Sequence, residues 1–130
     1  MVVLITGSRS GFTQQDFDVG IQSVVDISKV SVMISGGASG VDSLAREYSE
    51  RNGIEFIEMK ADWGSNGMKA GVVRNIEMAE ALCKYRDEGR DVCVFALRFD
   101  HSSGTTHMIK HSVGLGLDVY CIDKLSVDFN

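Results

Sequence analysis

Apolar residues recur along this chain in two rhythms. Unbroken apolar runs at residues 2–5, 32–34 and 92–97 read as strands buried on both faces, the middle one extending over 31–35. Residues 54–59 alternate instead and read as an edge or half-covered strand, and 117–122 form a fifth strand. Between the strands the spacing turns helical: Phe17, Ile21, Val24 and Val25; Val41, Leu44, Ala45 and Tyr48; Val72, Ile76, Ala79 and Cys83; Met108, Ile109 and Val113. Thr13 stands as a cap before the first helix, and Asn52-Gly53 closes the second. The third closes near Gly89 and the fourth at Gly114 or Gly116. The longest connection is 60–69, and 124–130 reads as a short tail. Strict alternation of strand and helix predicts an α/β, Rossmann-like fold. It has a mostly parallel five-stranded sheet with helices on both faces, residues 1–130 forming one domain.

In such folds ligands bind beyond the carboxyl ends of the strands, where strand order reverses. Three loops that leave carboxyl ends are rich in Gly, Ser, Thr or Arg: residues 6–11, 35–42 and 98–106. The second holds Ser35-Gly36-Gly37-Ala38-Ser39-Gly40-Val41-Asp42, a strand-to-helix turn. Bare amides at a helix N-terminus suit a phosphate, and Ser39 with Asp42 reads as an N-cap with its acidic partner. No Gly-Lys-Ser/Thr follows the glycines, so this is not a Walker loop. The first loop spaces its glycines as Gly7-x-x-x-Gly11, and the second strand ends in Ser35 where an NAD site places an acid. Both departures count against hydride transfer, and no cofactor is expected.

Composition changes the picture little: 44% hydrophobic and 24% charged residues are ordinary for a globular chain of 130 residues. The formal charge of −5, with 13 Lys and Arg scattered along the sequence, counts against a nucleic-acid backbone as partner. Cys83, Cys93 and Cys121 lie within predicted elements beside apolar residues, which favours buried free thiols and a reducing compartment. No run reaches transmembrane length and Met1 leads straight into a strand, so neither a membrane span nor a signal peptide is expected and the location reads as cytoplasmic. His107 and His111, four apart, could hold zinc, but no third ligand is fixed and no metal is expected. Met78 and Met108 read as core.

Several motifs together carry a family resemblance. They are Gly7-Ser8-Arg9; Ser35 to Asp42 with Leu44-Ala45; Ala61-Asp62-Trp63; Ala70-Gly71 with Arg74-Asn75-x-x-Met78; and Gly104-Thr105. In this order, from residue 1 to about 122, the chain resembles the YspA/YpsA-related branch of the SLOG superfamily, which also holds the Smf/DprA proteins and the LOG phosphoribohydrolases. The resemblance implies a Rossmann-like domain that binds nucleotides or nucleotide-derived ligands, and self-association into a homo-oligomer. Together with the three carboxyl-edge loops, it makes Gly7, Ser8, Arg9, Gly36, Gly37, Ala38, Asp42, Trp63, Arg74, Asn75, Ser103, Gly104 and Thr105 the candidate ligand contacts.

Read for their chemistry, Arg9 and Arg74 can pair with phosphate, with a salt bridge to Glu77 or Asp42 the less favoured role for Arg74. Trp63 either stacks on a base or anchors the long loop. The phosphoribohydrolases carry Gly-Gly-x-Gly-Thr-x-x-Glu, and here Met108 takes the place of the glutamate. An N-glycosidase would therefore need another carboxylate: Asp100 first, then Asp62, with Asp42 or Glu77 behind. The reading that results is a nucleotide-binding domain. A phosphoribohydrolase-like enzyme is the first alternative and a DprA-like binder of single-stranded DNA the second; the charge and the single tryptophan weigh against the latter.

Overall fold

Five strands, β1 (Val2–Gly7), β2 (Val32–Ser35), β3 (Glu55–Glu58), β4 (Val92–Phe99) and β5 (Val119–Lys124), pair in the order β3-β2-β1-β4-β5, every pair parallel. This is the Rossmann-like α/β sheet that the alternating elements predict. The computed structural model describes residues 1–126, the side chain of Met68 excepted; the tail expected at 124–130 lies largely outside them. Five helices cover the sheet or connect its strands: α1 (Gln14–Val24), α2 (Val41–Arg51), α3 (Trp63–Asn66), α4 (Ala70–Asp87) and α5 (Ser103–Gly114).

Period-2 alternation in the central strands supplies two cores at once. Val3, Ile5, Met33, Phe95 and Leu97 face α1 and α2, where they meet Phe17, Ile21, Val41, Ala45 and Tyr48. Phe17 sits at the centre, its ring 5.6 Å from Tyr48 and 5.8 Å from Phe95. Val2, Leu4, Val32, Ile34 and Val94 face the other way, against Met78, Ala79 and Leu82 of α4 and Met108 of α5. Met78 and Met108 are thus core. Thr13 caps α1 through a reciprocal box: its hydroxyl accepts from the Asp16 amide at 3.1 Å and its own amide donates to the Asp16 carboxylate at 2.9 Å.

The structure corrects the sequence reading in four places. The 60–69 connection is not irregular, because α3 and a 3₁₀ turn at Gly67–Lys69 fill it. β4 continues to Phe99, placing Arg98 in a strand, where it grips Asp123 of β5 by two bonds of 2.6 and 3.0 Å. α4 buries Asn75, Met78, Ala79 and Leu82, so that of the stripe Val72, Ile76, Ala79 and Cys83 only Ala79 is fully buried, with Cys83 packed partly against the same core. The preceding turn sets the helix rotation, and Val72 is left exposed. Finally, Cys121 is exposed because β5 is an edge strand, while Cys93 is buried and its thiol is pushed up to about 11 by loss of hydration. No helix among the described residues is long and apolar enough to cross a membrane.

Candidate functional site

Strand order reverses between β1 and β4, and a parallel sheet puts both carboxyl ends on one edge. A cleft of about 1070 Å³ opens there. Its walls are Thr6 to Ser10 after β1, Gly37 to Ser39 after β2, Lys60, Ala61 and Trp63 after β3, and Phe99 at the end of β4. The first turns of α4 (Gly71, Val72, Arg74, Asn75) and α5 (Ser102 to Thr105, His107) complete it. Three loops far apart in sequence therefore meet at one site.

The glycines at this site divide into two kinds. Some are required by packing. A Cβ on Gly7 would lie 2.6 Å from three carbons of Val41. Gly40 turns at φ +80°, and a Cβ there would clash with the Arg9 carbonyl oxygen and lie 2.5 Å from that of Ser8. A Cβ on Gly36 would meet the Arg74 guanidinium at 2.5 Å. Others are not: Gly71 and Gly104 lie in the first turns of α4 and α5 with nothing within 4 Å of an added Cβ. Glycine in a helix costs about 0.5–1 kcal/mol relative to alanine. At the cleft wall, that cost leaves backbone open to close approach.

Of the helices that follow β2 and β4, α5 and not α2 turns its N-terminus to the cleft. Gly40 rather than Ser39 is the N-cap of α2, and no side chain caps it. The first α2 amide, that of Val41, donates to the Ser8 carbonyl at 3.1 Å, so this end is packed beneath the β1 loop. Asp42 holds the glycine turn instead: its carboxylate accepts from the Ser35 hydroxyl at 2.7 Å and the Ala38 amide at 3.1 Å. Burial pushes the Asp42 carboxyl above its ordinary range, against the opposing pull of Ser35 and of the Arg74 charge. The α5 N-terminus likewise has no side-chain cap, but its Ser102 to Thr105 line the cleft. Its free amides and dipole favour an anion.

Arg74 reaches across from α4, its Nη1 4.0 Å from the Asp42 carboxylate. Its Nε is buried with no partner among the described residues. Asn75, beside it, is 4% exposed; its amide nitrogen donates to the Gly104 carbonyl at 3.2 Å and lies 3.1 Å from His107 Nδ1. Arg9 makes no ion pair among the described residues, and Lys60 pairs loosely with Glu58 at 3.7 Å. Three cations thus line the cleft, and no Asp or Glu among the described residues does.

Of the residues singled out from sequence, Gly7, Ser8, Arg9, Gly37, Ala38, Trp63, Arg74, Asn75, Ser103, Gly104 and Thr105 line this cleft. Gly36 and Asp42 lie behind it, supporting Arg74. Asp62 and Asp100 do not line it. Asp62 caps α3, accepting from the Ser65 amide at 3.0 Å, a bond that lowers its pKa. Asp100, at φ +49°, is tied to Ser126, whose amide donates to it at 2.7 Å. Trp63 is 54% exposed and so does not anchor its loop in the core. Lys60, Ser102 and His107 also line the cleft, although the sequence did not mark them as candidate ligand contacts. Only His107 carried a signal, lying one helical turn after Gly104.

The chain belongs to the YspA, cpYpsA-related SLOG family (YAcAr), whose profile matches residues 1–65. It is similar to the Gene 61 protein of Mycobacterium phage D29, with 33% identity over 123 residues that cover 90% of this chain and 92% of the phage protein. Membership of the SLOG family points to nucleotide-related binding or activity.

Proposed function

We propose that the cleft binds a nucleotide or nucleotide-derived ligand through its phosphate and does not use a carboxylate to break the N-glycosidic bond. The observation that carries this reading is the charge of the cleft. In a chain of net charge −5, Arg9, Lys60 and Arg74 gather at one cavity whose lining holds no carboxylate among the described residues. A phosphate is at home on the uncapped first turn of α5, with Gly104 allowing it close and the Arg74 guanidinium supplying a planar fork. Trp63, exposed at the same cleft, offers a face for a base.

Breaking an N-glycosidic bond builds positive charge on the sugar, which a neighbouring carboxylate stabilises. Met108 is buried where the phosphoribohydrolases carry their glutamate, and Asp62 and Asp100 are engaged elsewhere. The reading is therefore a binding module rather than a hydrolase. A thermal-shift panel of nucleoside monophosphates, ADP-ribose and ribose phosphates tests it, since a ligand that binds only the folded state raises Tm by mass action. A nucleotide that raises Tm without releasing free base supports the reading. Base release abolished by Asp100→Asn would replace it with the hydrolase.

A further inference from the structure

β5 ends the sheet, and among the described residues no strand pairs with its outer side. Its partnership with β4 decides which backbone groups face out. The Asp118 carbonyl accepts from the Val94 amide at 2.8 Å, and the Lys124 carbonyl from the Asp100 amide at 2.9 Å. Backbone groups along a strand alternate between its two sides. Residues 118, 120, 122 and 124 therefore turn theirs toward β4, and Val119, Cys121 and Asp123 turn theirs outward. Such an edge is a template for another strand, and the chain holds no proline to blunt it. The opposite edge, β3, is only four residues long with a glutamate at each end. Beside β5 the apolar surface is also uncovered. Its register with β4 puts Tyr120 and Ile122 on the face of Phe95 and Leu97, where Tyr120 is 42% exposed and Val19 of α1 is 62% exposed. A cavity of about 460 Å³, lined in part by Phe12, Val19, Gly20, Leu97 and Ile122, opens there.

We infer that β5 pairs antiparallel with β5 of a second copy of this chain, about a two-fold axis at Cys121, joining the two five-stranded sheets edge to edge. The second copy is the partner because the edge complements itself. Outward-facing residues must oppose one another to exchange hydrogen bonds, so Cys121 meets Cys121 and Val119 meets Asp123 of the other copy. In the same register Tyr120 opposes Ile122, and Asp118 opposes Lys124 at both ends. Opposite charges and aromatic–branched pairs set directly across strands stabilise a sheet. Sliding by two residues one way would set Asp118 against Ile122, and the other way Tyr120 against Lys124. Asp118 is exposed, and Lys124 is held only by Asp16 at 3.3 Å on the surface. Asp123 keeps its two bonds to Arg98. No residue of β5 lines the phosphate cleft, so this inference stands apart from the nucleotide reading.

The test is the mass in solution, by light scattering after size exclusion, with the dimer dissociation constant from sedimentation equilibrium. The wild type should run at twice its chain mass of 14.2 kDa. Cys121→Pro removes an outward amide at the two-fold axis, a place where an edge strand tolerates proline. It should be monomeric with the circular dichroism spectrum of the wild type. If it fails to fold, the charge variants carry the test. Asp118→Lys sets lysine against lysine at both ends and should raise the dissociation constant at least about fivefold. Adding Lys124→Asp to it reverses both charges and should restore the dimer. A wild type that stays monomeric up to about 1 mM overturns the pairing. So does a dimer that survives in folded Cys121→Pro, or a dimer whose affinity does not fall in Asp118→Lys and recover in the double variant.

Discussion

Replacing Gly104 by alanine should separate what the fold needs from what the site needs. Gly104 lies in the first turn of α5, its φ is not positive, and an added Cβ would touch nothing within 4 Å. The methyl group should therefore stabilise the protein by about 0.5–1 kcal/mol, the usual gain for Gly→Ala at a compatible helical position. With a urea m-value of about 2 kcal/mol/M, the unfolding midpoint should rise by about 0.3–0.5 M. The same methyl projects into the cleft where a phosphate must approach the α5 amides. Losing a hydrogen bond to a charged group costs about 1.5–3 kcal/mol, so AMP should bind about ten- to one-hundredfold more weakly. Urea unfolding followed by circular dichroism and titration calorimetry on the same sample measure both quantities. A stabilised Gly104→Ala that binds AMP as tightly as the wild type would refute the placement of phosphate on α5.

Other outcomes follow from the same geometry. Gly7→Ala forces a Cβ to within 2.6 Å of buried Val41, which its Ser8 bond holds in place, and should cost about 1–3 kcal/mol by overpacking, read as a lower urea midpoint at unchanged m. Thr13→Ala removes one half of the capping box and should cost about 0.5–2 kcal/mol in the same assay. Asp42, whose carboxyl is raised by burial, binds its proton more tightly folded than unfolded. Stability relative to Asp42→Asn should then fall as pH climbs from the ordinary carboxyl range through the raised folded pKa, and level off above it. A difference in Tm between the two proteins that stays flat with pH would contradict this.

The sheet was legible in sequence because fully buried strands leave no choice of face: residues 2–5 and 92–97 must be covered on both sides, which only alternating helices provide. The meeting of three loops at one edge followed from that order. What was not legible depended on rotation and capping. The α4 pattern offered two apolar stripes about one residue apart, and the turn before it decided that Asn75 goes inward while Val72 does not. Ser39 had the spacing of a cap, yet Gly40 at φ +80° places the chain so that Gly40 is the cap and Asp42 binds the turn. Asp100 stood on the right loop, but its left-handed conformation ties it to Ser126. The basic character of the site was hidden because Arg9, Lys60 and Arg74 are scattered in sequence and gathered only by the fold.

The most direct test of the account is titration of AMP into the wild type, Arg74→Ala and Arg74→Lys, each first shown to be folded. Arg74 lines the cleft, its Nε has no partner among the described residues, and its ion pair to Asp42 is long at 4.0 Å. The wild type should bind saturably, Arg74→Ala should lose about 1.5–3 kcal/mol, and Arg74→Lys should recover part of it, because it restores the charge without the planar fork. Affinity unchanged in Arg74→Ala, or no saturable binding by the wild type, would contradict it.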